Sequence, residues 1–326
     1  VLKEGKVAGT DEYIEGKANI TPNGEAITVK FADATRNYSR LRIATMPNMP
    51  ITVSINEYTP AGSSDMKWDQ NYALTSDEKG NAYLYGNFVT NSRVDVKYGE
   101  APLATHKFSQ ATESAKSYAL DATVISANSA EEIKSAIKQE VADGKTAIRL
   151  NLASDAGDNE FKTIREAFKN VQDATIDLTL IGCKEIPADG LKELNALKSI
   201  FLPDVTKIGM NALSRCVYLE EICAPNVSTI DERAFAGFIM LEKVTLGELT
   251  DVRGEANSGG GIFDDDNWAQ YIDLYLPKNQ EVMKGEFDEN SNQYIWKPTG
   301  EKYFASLDSD NGIFLGYQFN SVKSWE

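Results

Sequence analysis

The chain has 326 residues, of which 42% are hydrophobic and 25% charged, and it contains no run of 18 apolar residues, so we expect a globular protein without a membrane-spanning helix. Its net charge of −16 is uneven, because residues 1–126 carry 13 basic and 15 acidic side chains whereas residues 127–326 carry 20 and 34. The second part, at 20 − 34 = −14, repels polyanions, which argues against nucleic acid or an anionic membrane surface as its partner.

Residues 10–126 contain short segments in which apolar and polar residues alternate, and turn-forming residues separate these segments. Alternation with a period of two is typical of strands that bury one face, and a chain of this length has room for two cores. Many such segments without a helical period predict a β-sandwich over residues 1–126. The predicted strands are residues 25–31, 39–45, 51–57, 81–89, 92–98 and 117–126.

The periodicity becomes helical at residue 129. Ser129 followed three residues later by Glu132 is a capping box, and apolar residues then recur at helical spacing up to Gly144, a residue type that often ends helices. We predict an amphipathic helix from Ser129 to Ala142 that caps a second domain spanning residues 127–326. After it, the sequence predicts a strand over residues 147–153 and a second helix over residues 160–171.

A repeat of 22 residues follows, with Leu197, Leu219 and Leu241 at equivalent positions. Further apolar residues stand three and five positions after each leucine: Ile200 and Leu202, Ile222 and Ala224, Val244 and Leu246. A unit of this length cannot bury both of its apolar faces alone, so we expect the units to stack as a solenoid. Each unit is predicted to contain a strand, a turn and a short helical segment that ends near Ala212-Leu213 or Ala234-Phe235.

The repeat also resembles a known family. The pattern L-x-x-I-x-x-P-x-V-x-x-I-x-x-x-A-[LF]-x-x-C, complete at residues 197–216 and nearly complete at 219–238, is similar to the BspA-like leucine-rich repeats of surface proteins from anaerobic bacteria. Residues 81–124 resemble the closing strands of fimbrillin-like β-sandwich domains. These resemblances imply a multidomain β plus α/β solenoid protein, in which a β-sandwich precedes a leucine-rich repeat solenoid of about 22-residue units.

The predicted strands of the repeat present one face to solvent, because side chains alternate across a strand. Exposed aromatic residues on such a face bury a large area at a low cost in side-chain entropy, so we expect a binding surface there. The alternative is that the first domain or a C-terminal loop covers these aromatic residues. The predicted binding residues are Thr179, Phe201, Glu221, Cys223, Thr245, Trp268 and Tyr275.

An insertion at residues 253–270 interrupts the repeat with a glycine run, three aspartates at 264–266 and Trp268. Insertions in solenoids often lie on the binding face. Consecutive carboxylates cannot all face one ion without an unusual turn, so we predict no metal site, although calcium binding by this stretch stays open. Further along, the dipeptide Asn311-Gly312 between apolar segments predicts a hairpin turn.

The sequence offers little chemistry for catalysis or for a cofactor. Its only histidine, His106, is far in sequence from all three cysteines, and we find no phosphate-binding loop or zinc-protease motif. Cys183, Cys216 and Cys223 are too few for a disulfide framework and are predicted to pack in the core. We therefore expect a non-enzymatic protein with no cofactor; a hydrolase using a pair of carboxylates is a remote alternative.

The resemblance to the BspA-like repeats implies an adhesin-like interaction protein that is secreted or displayed on the bacterial surface, with a lipid anchor in the outer membrane supplied outside this stretch. Its expected partner is a host or bacterial surface protein or a glycan, bound through the sheet face of the repeats. The alternative is a glycan-capture protein of a nutrient-uptake system, in which Trp268, Tyr271 and Tyr275 would form a platform for a sugar.

Overall fold

The protein was analysed as a computed structural model. It describes residues 2–6, 13–17, 38–60, 64–253, 261–263, 268–278, 280–287, 296–304, 309–310 and 312–325. The predicted strand at residues 25–31 and the aspartates at 264–266 lie outside these ranges.

The chain divides into two compact units. The first contains Val1–Val96 and Ala104–Ala122, and the second contains Lys97–Leu103 and Thr123–Glu326. The strand predicted over residues 117–126 is therefore two strands, one in each unit, with the break at residues 122–124.

The structure describes ten strands in the first part of the chain. They are β1 (Leu2–Lys6), β2 (Tyr13–Lys17), β3 (Ser39–Ala44), β4 (Pro50–Ile55), β5 (Tyr58–Pro60), β6 (Gln70–Thr75), β7 (Asn81–Phe88), β8 (Arg93–Tyr98), β9 (Ala101–Lys107) and β10 (Ser117–Asp121). Strands β1 and β2 pair with each other, and the others form two four-stranded sheets in the orders β10-β3-β7-β5 and β6-β4-β8-β9.

The core of the first unit follows from the alternation in its strands. Every second residue of β7 is buried, and β4 and β8 show the same pattern. Three aromatic rings add to this core: the ring of Phe88 stacks on Tyr58 and on Phe108, with centroid distances of 5.5 and 4.8 Å. Aromatic pairs at these separations stabilise a fold by more than the burial of their apolar area alone provides.

The described residues of the second part of the chain form two α-helices, one 3₁₀ helix and many short strands. In chain order these are β11 (Ile125–Ser126), α1 (Ala130–Ala142), β12 (Ala147–Asn151), α2 (Asp158–Phe168), β13 (Ile176–Ile181), β14 (Glu185–Ile186), β15 (Leu197–Phe201), β16 (Lys207–Ile208), β17 (Glu221–Ala224), β18 (Thr229–Ile230), β19 (Lys243–Leu246), β20 (Asp251–Val252), the 3₁₀ helix Trp268–Tyr271, β21 (Asp273–Leu276), β22 (Glu281–Phe287), β23 (Trp296–Phe304), β24 (Ser309–Asp310), β25 (Ile313–Phe314), β26 (Tyr317–Gln318) and β27 (Ser321–Ser324).

One long sheet organises the second unit, with the order β11-β12-β13-β15-β17-β19-β21-β27-β24. All of its pairs are parallel except the last, in which β24 runs antiparallel to β27. A second sheet, β14-β16-β18-β20, is also parallel. Strands of this second sheet alternate in sequence with those of the long sheet, so the chain passes from one sheet to the other in every repeat.

The register of both sheets has the period of the sequence repeat. Ile200 pairs with Ile222, which pairs with Val244, and in the second sheet Ile208 pairs with Ile230. Leu197 and Leu219 are fully buried, and Leu241 is nearly so. Residues at one position of the repeat therefore stack into continuous apolar columns, as the sequence predicts.

The segment predicted to be helical in each repeat is a turn. Asn211 and Arg215 have positive φ angles of 55° and 59°, and the equivalent residues of the neighbouring repeats also have positive φ, which an α-helix does not allow. The backbone amides of this segment point to the next repeat: Leu213 donates to the Ala234 carbonyl at 3.0 Å and Arg215 to the Ala236 carbonyl at 2.7 Å. In this segment the backbone amides form hydrogen bonds to the next repeat, and the segment is therefore a turn rather than a helix.

Both ends of the second unit are covered. Helix α1 starts at its predicted cap, where the Ser129 hydroxyl accepts a hydrogen bond from the Glu132 amide at 3.4 Å, and Ile133 and Ile137 join the apolar core. Near the other end, the side-chain amide of Gln280 both accepts from and donates to the backbone of Leu249, at 2.9 and 3.0 Å. This buried amide satisfies backbone groups that the next repeat would otherwise pair.

Asn311, the first residue of the tight turn predicted at Asn311-Gly312, lies outside the described residues. Strands β25 and β26 pair so that Phe314 faces Tyr317, and the two residues between them, Leu315 and Gly316, have φ angles of 53° and 76°. Positive φ at both central residues is the requirement of the twist-compatible two-residue hairpin. Here a leucine occupies a position for which sequence reasoning expects asparagine or glycine.

In broad class, the expectation of a mostly β protein with several sheets is confirmed, since strands account for 40% of the chain and there are two α-helices among the described residues. The parallel sheet of eight strands is compatible with a solenoid-like or an α/β fold.

Gly182 tests how closely the repeats pack. It has a φ of 86°, and a Cβ added there would lie 2.3 Å from the Leu152 carbonyl oxygen. We expect Gly182→Ala to lower the free energy of unfolding by about 3 kcal/mol, because strain and a backbone clash add together. Urea unfolding followed by circular dichroism measures this.

The matched control is Gly157→Ala, where an added Cβ would lie 3.9 Å from the Asp155 carbonyl oxygen and φ is −126°. Its effect is expected to stay under about 1 kcal/mol. Equal losses for the two variants would contradict the close backbone approach at Gly182.

Candidate binding surface

The outward face of the long sheet carries the columns in which the sequence places its binding residues. In register, Thr179 pairs with Phe201, Phe201 with Cys223, Cys223 with Thr245, and Thr245 with Tyr275. Glu221 stands in the neighbouring column, between Ser199 and Lys243. The structure therefore brings six of the seven predicted residues onto one face.

The expected exposure of this face is wrong at its centre. Phe201 is only 9% exposed, and Thr179, Cys223 and Thr245 are also buried. Phe201 and Cys223 form an apolar cluster with Ala101, which belongs to the same compact unit through the segment Lys97–Leu103. The Tyr98 hydroxyl also donates to the Asp204 carboxylate at 3.4 Å, so this segment has polar contacts as well.

Two further aromatic residues, Trp268 and Tyr275, are among the predicted binding residues. Tyr275 is half-buried, and its ring lies between the Nζ atoms of Lys243 and Lys323, at 5.6 and 5.7 Å from the ring centroid. Cations at these distances interact with the face of an aromatic ring. Trp268 begins the 3₁₀ helix, and its side chain lies outside the described part of the chain.

A ladder of polar contacts occupies the neighbouring column. Ser199 donates to Asp177 at 2.6 Å, and Lys243 forms an ion pair with Glu221 at 2.7 Å, each pair one repeat apart. Burial alone would lower the pKa of Lys243, but its hydrogen bond to Glu221 and the nearby negative charge raise the pKa above its usual value. These polar groups are matched to one another, which leaves them with little capacity for a partner.

The cysteines have no features of a reactive site. All three thiols are free and buried. Burial raises the pKa of Cys183, Cys216 and Cys223 to about 12, and the Cys216 thiol also contacts the Leu191 carbonyl at 3.1 Å. A thiol is nucleophilic only as the thiolate, so these groups are chemically quiet at neutral pH.

His106 lies in β9 and contacts the edge of the Phe108 ring, with a centroid separation of 4.6 Å. It belongs to the first unit, whereas the three cysteines belong to the second. Across the ranges that the structure describes, we find no group of three or more histidine, cysteine, aspartate or glutamate residues able to hold a metal ion.

An exposed apolar cluster, of which the sequence indicated only Tyr271, lies where the chain enters the strands. Ile239 and Tyr271 are 57% and 61% exposed, and Tyr218 and Met240 are exposed as well. We call these four residues the apolar edge. They come from successive repeats, and the amides of Ile239 and Met240 both donate to the Val217 carbonyl at 3.3 Å, which holds the two loops together.

The apolar edge borders a small depression. Ile239 and Tyr271 form part of its wall, and the rings of Phe235 and Phe263, with centroids 5.4 Å apart, form its floor. Ile262 and Phe263 lie inside the insertion and continue the buried column of Ala234 and Phe235, since the Phe235 amide donates to the Ile262 carbonyl at 2.8 Å. The end of the glycine run thus supplies core residues. The signal that could have shown this is the Ile-Phe pair, which matches the Ala-Phe pair one repeat earlier.

Comparison of the chain with protein-family models, curated proteins and solved structures finds no match. Neither of the two α-helices in the described ranges has the length and apolar character needed to cross a bilayer.

The buried thiols give a direct test of this surface. We expect an aromatic disulfide reagent at pH 8 to label none of the three cysteines of the native protein within minutes and all three in denaturant, because the folded chain withholds the thiolates. Absorbance of the released thiol measures the number labelled. Ser64→Cys, at an exposed position, is the positive control and should label at once. Rapid labelling of native Cys223 would show that its strand face is open.

Asp273 tests the polar ladder. It accepts hydrogen bonds from Ser321 and Asn320 at 2.6 and 2.7 Å, and the Ser321 bond, with the Asn320 bond and the charge of Lys323, lowers the pKa of Asp273 below its ordinary 3.8. A lowered folded-state pKa stabilises the protein above the unfolded value, and this stabilisation is lost as pH falls through the folded value. Asp273→Asn should therefore cost about 1 kcal/mol at pH 7, and the difference should shrink in acid as the pH falls through the folded-state pKa.

Urea unfolding of the wild type and of Asp273→Asn, at pH 7 and in acid, measures this difference in stability. Asp155→Asn, at an exposed carboxylate without an ion pair among the described residues, is the control and should change stability little at either pH. A loss for Asp273→Asn that persists unchanged in acid would contradict the assigned role of the charge.

Proposed function

We propose that the chain is a non-enzymatic, adhesin-like interaction protein of a bacterial surface, in which a β-sandwich precedes a leucine-rich repeat solenoid, and that it binds another protein through the apolar edge. The register of 22 residues in both parallel sheets supports the solenoid assignment, together with the resemblance of its repeats to the BspA-like pattern. The two four-stranded sheets with alternating burial support the β-sandwich assignment.

The observation that carries the binding proposal is the apolar edge itself. Four large apolar side chains at one border of consecutive repeats are exposed, while the sheet face beside them is buried or internally paired. Contiguous exposed apolar residues with a polar surround are a mark of protein–protein interfaces. This moves the proposed site from the centre of the sheet face to its border.

Charge favours one kind of partner. The exposed Glu242 and the half-exposed Glu220 lie in sequence beside Met240 and Tyr218, and the second part of the chain has a charge of 20 − 34 = −14. A protein segment that offers one apolar side chain to the depression and basic side chains around it would match both properties. Such a contact would weaken as salt concentration rises.

A glycan-capture role through the sheet face has less support. A sugar binds an aromatic platform by packing its apolar face on the ring, but two lysine ammonium groups, those of Lys243 and Lys323, already lie 5.6 and 5.7 Å from the centroid of the Tyr275 ring. Placement at the cell surface by a lipid anchor remains a proposal that follows from the resemblance. It is tested by antibody labelling of intact cells, which should be positive without permeabilisation.

The binding proposal is tested with Ile239→Glu and Tyr271→Ala. Each replaces an exposed side chain at the wall of the depression, so we expect folding to be preserved and binding to fall at least about tenfold, because the apolar anchor site is lost. The immobilised chain is exposed to extracts of cell-surface proteins, the retained proteins are identified by mass spectrometry, and their affinity for each variant is measured by biolayer interferometry.

Met210→Glu is the matched control. Met210 is also exposed, but it follows β16 and does not line the depression. A partner that binds the wild-type protein and Met210→Glu equally, and binds the other two variants weakly, supports the proposal. Equal binding by all four proteins would contradict it.

A further inference from the structure

A polar cleft in the first unit has no role in the proposal above. It has a volume of about 300 Å³ and lies across β4, β6 and β8, with the start of β6 at its border. Polar residues make up most of its lining, among them Asn56, Asp69, Gln70, Asn71, Arg93 and Asp95. This volume is at the lower end of the range for small-molecule sites.

Hydrogen bonds hold the side chains of the cleft in place. The Ser54 hydroxyl donates to the side-chain oxygen Oδ1 of Asn71 at 2.6 Å. The backbone amide of Arg93 donates to Oδ1 of Asn56, also at 2.6 Å. Each contact uses the acceptor of the side-chain amide, so its NH₂ group stays available as a donor. Two asparagine donors are thereby fixed on the wall of the cleft before any ligand arrives.

The charged groups are arranged in a similar way. Asp95 accepts from the Thr105 hydroxyl at 2.6 Å and forms an ion pair with Arg93 at 2.8 Å. The carboxylate of Asp69, by contrast, has no hydrogen bond or ion pair with any residue in the described ranges. Asp69 therefore offers an acceptor to a ligand, next to the asparagine donors.

An aromatic residue precedes this acceptor. Trp68 is 61% exposed, and the Gln70 side chain donates to the carbonyls of Trp68 and Asp69 at 3.3 and 3.4 Å. These contacts tie the tryptophan-bearing bend to the start of β6. A large exposed tryptophan beside a cleft that polar residues mainly line favours a role in binding, because exposed apolar area at such a site is a feature of binding surfaces.

We propose that this cleft binds a neutral saccharide. Sugar hydroxyls donate and accept at once, so they match a wall that carries amide donors and carboxylate acceptors side by side. The apolar C–H face of a sugar ring packs on an indole ring, which gives Trp68 its role. The two carboxylates and the one guanidinium in the cleft leave a net negative charge, which disfavours phosphorylated, sulfated or sialylated ligands.

The proposal is tested by binding of the purified chain to a printed array of neutral and acidic glycans, followed by calorimetric titration with the best neutral hit. We expect the wild-type protein to bind neutral glycans, and Trp68→Ala and Asp69→Ala each to lose at least about tenfold in affinity. Thermal unfolding shows whether each variant is folded: Trp68→Ala removes an exposed side chain and should melt as the wild type does, whereas Asp69→Ala should melt slightly lower because Asp69 has a φ of 50°, which alanine adopts less readily.

Glu78→Ala, an exposed change in the turn before β7 and away from the cleft lining, is the control and should bind as the wild type does. Binding of no neutral glycan, binding only of acidic ones, or wild-type binding by Trp68→Ala and Asp69→Ala would each overturn the proposal. Ile239→Glu should leave glycan binding unchanged, so failure of this site and failure of the apolar edge can be told apart.

Discussion

The fold of the second unit depends on backbone hydrogen bonds between residues 22 positions apart or nearly so. They run through the long parallel sheet, through the short one and through the turns, where Leu191 and Leu213 donate to the carbonyls of Ala212 and Ala234. A single repeat satisfies few of its own backbone groups, and leaving such groups unpaired in the interior is costly. Each repeat therefore requires its neighbours, and the apolar columns are a consequence of this stacking.

The same period organises the surface of the repeats. Thr206, Ser228 and Thr250 each donate a side-chain hydrogen bond to a carbonyl 22 residues earlier, and Lys207 and Lys243 form ion pairs with glutamates at the same spacing. Each exposed pair contributes little to the free energy of unfolding, but together the pairs occupy the hydrogen-bond donors and acceptors on the flat faces of the stack. Exposed apolar side chains are left at the borders, in the loops that carry Tyr218, Ile239, Met240 and Tyr271.

The sequence predicts the repeat well because apolar columns at a fixed period are typical of stacked units and of few other folds. It also predicts helix α1, since Ser129 and Glu132 form a local cap whose chemistry is visible without tertiary structure.

The sequence does not predict features that depend on contacts between distant residues. The turn at Asn211 has the residue pattern of a helix, and Phe201 is covered by Ala101, about a hundred residues earlier in the chain. Of the apolar edge the sequence indicates only Tyr271, because the exposure of Ile239 depends on loop geometry rather than on alternation. In the first unit, β6 was missed because half-exposed strands show a weak pattern.

Strand β24 has a consequence for self-association. A parallel stack can in principle grow without limit, since its last strand offers the same unpaired edge as every strand before it, and a second copy could dock there to begin a filament. Here the final strand runs in the opposite direction and is only two residues long, Ser309–Asp310. An incoming strand would find a partner of two residues among the described ones, and short edge strands are one way in which proteins limit edge-to-edge pairing. A short terminal strand of this kind reduces the template that a modular chain offers for self-association.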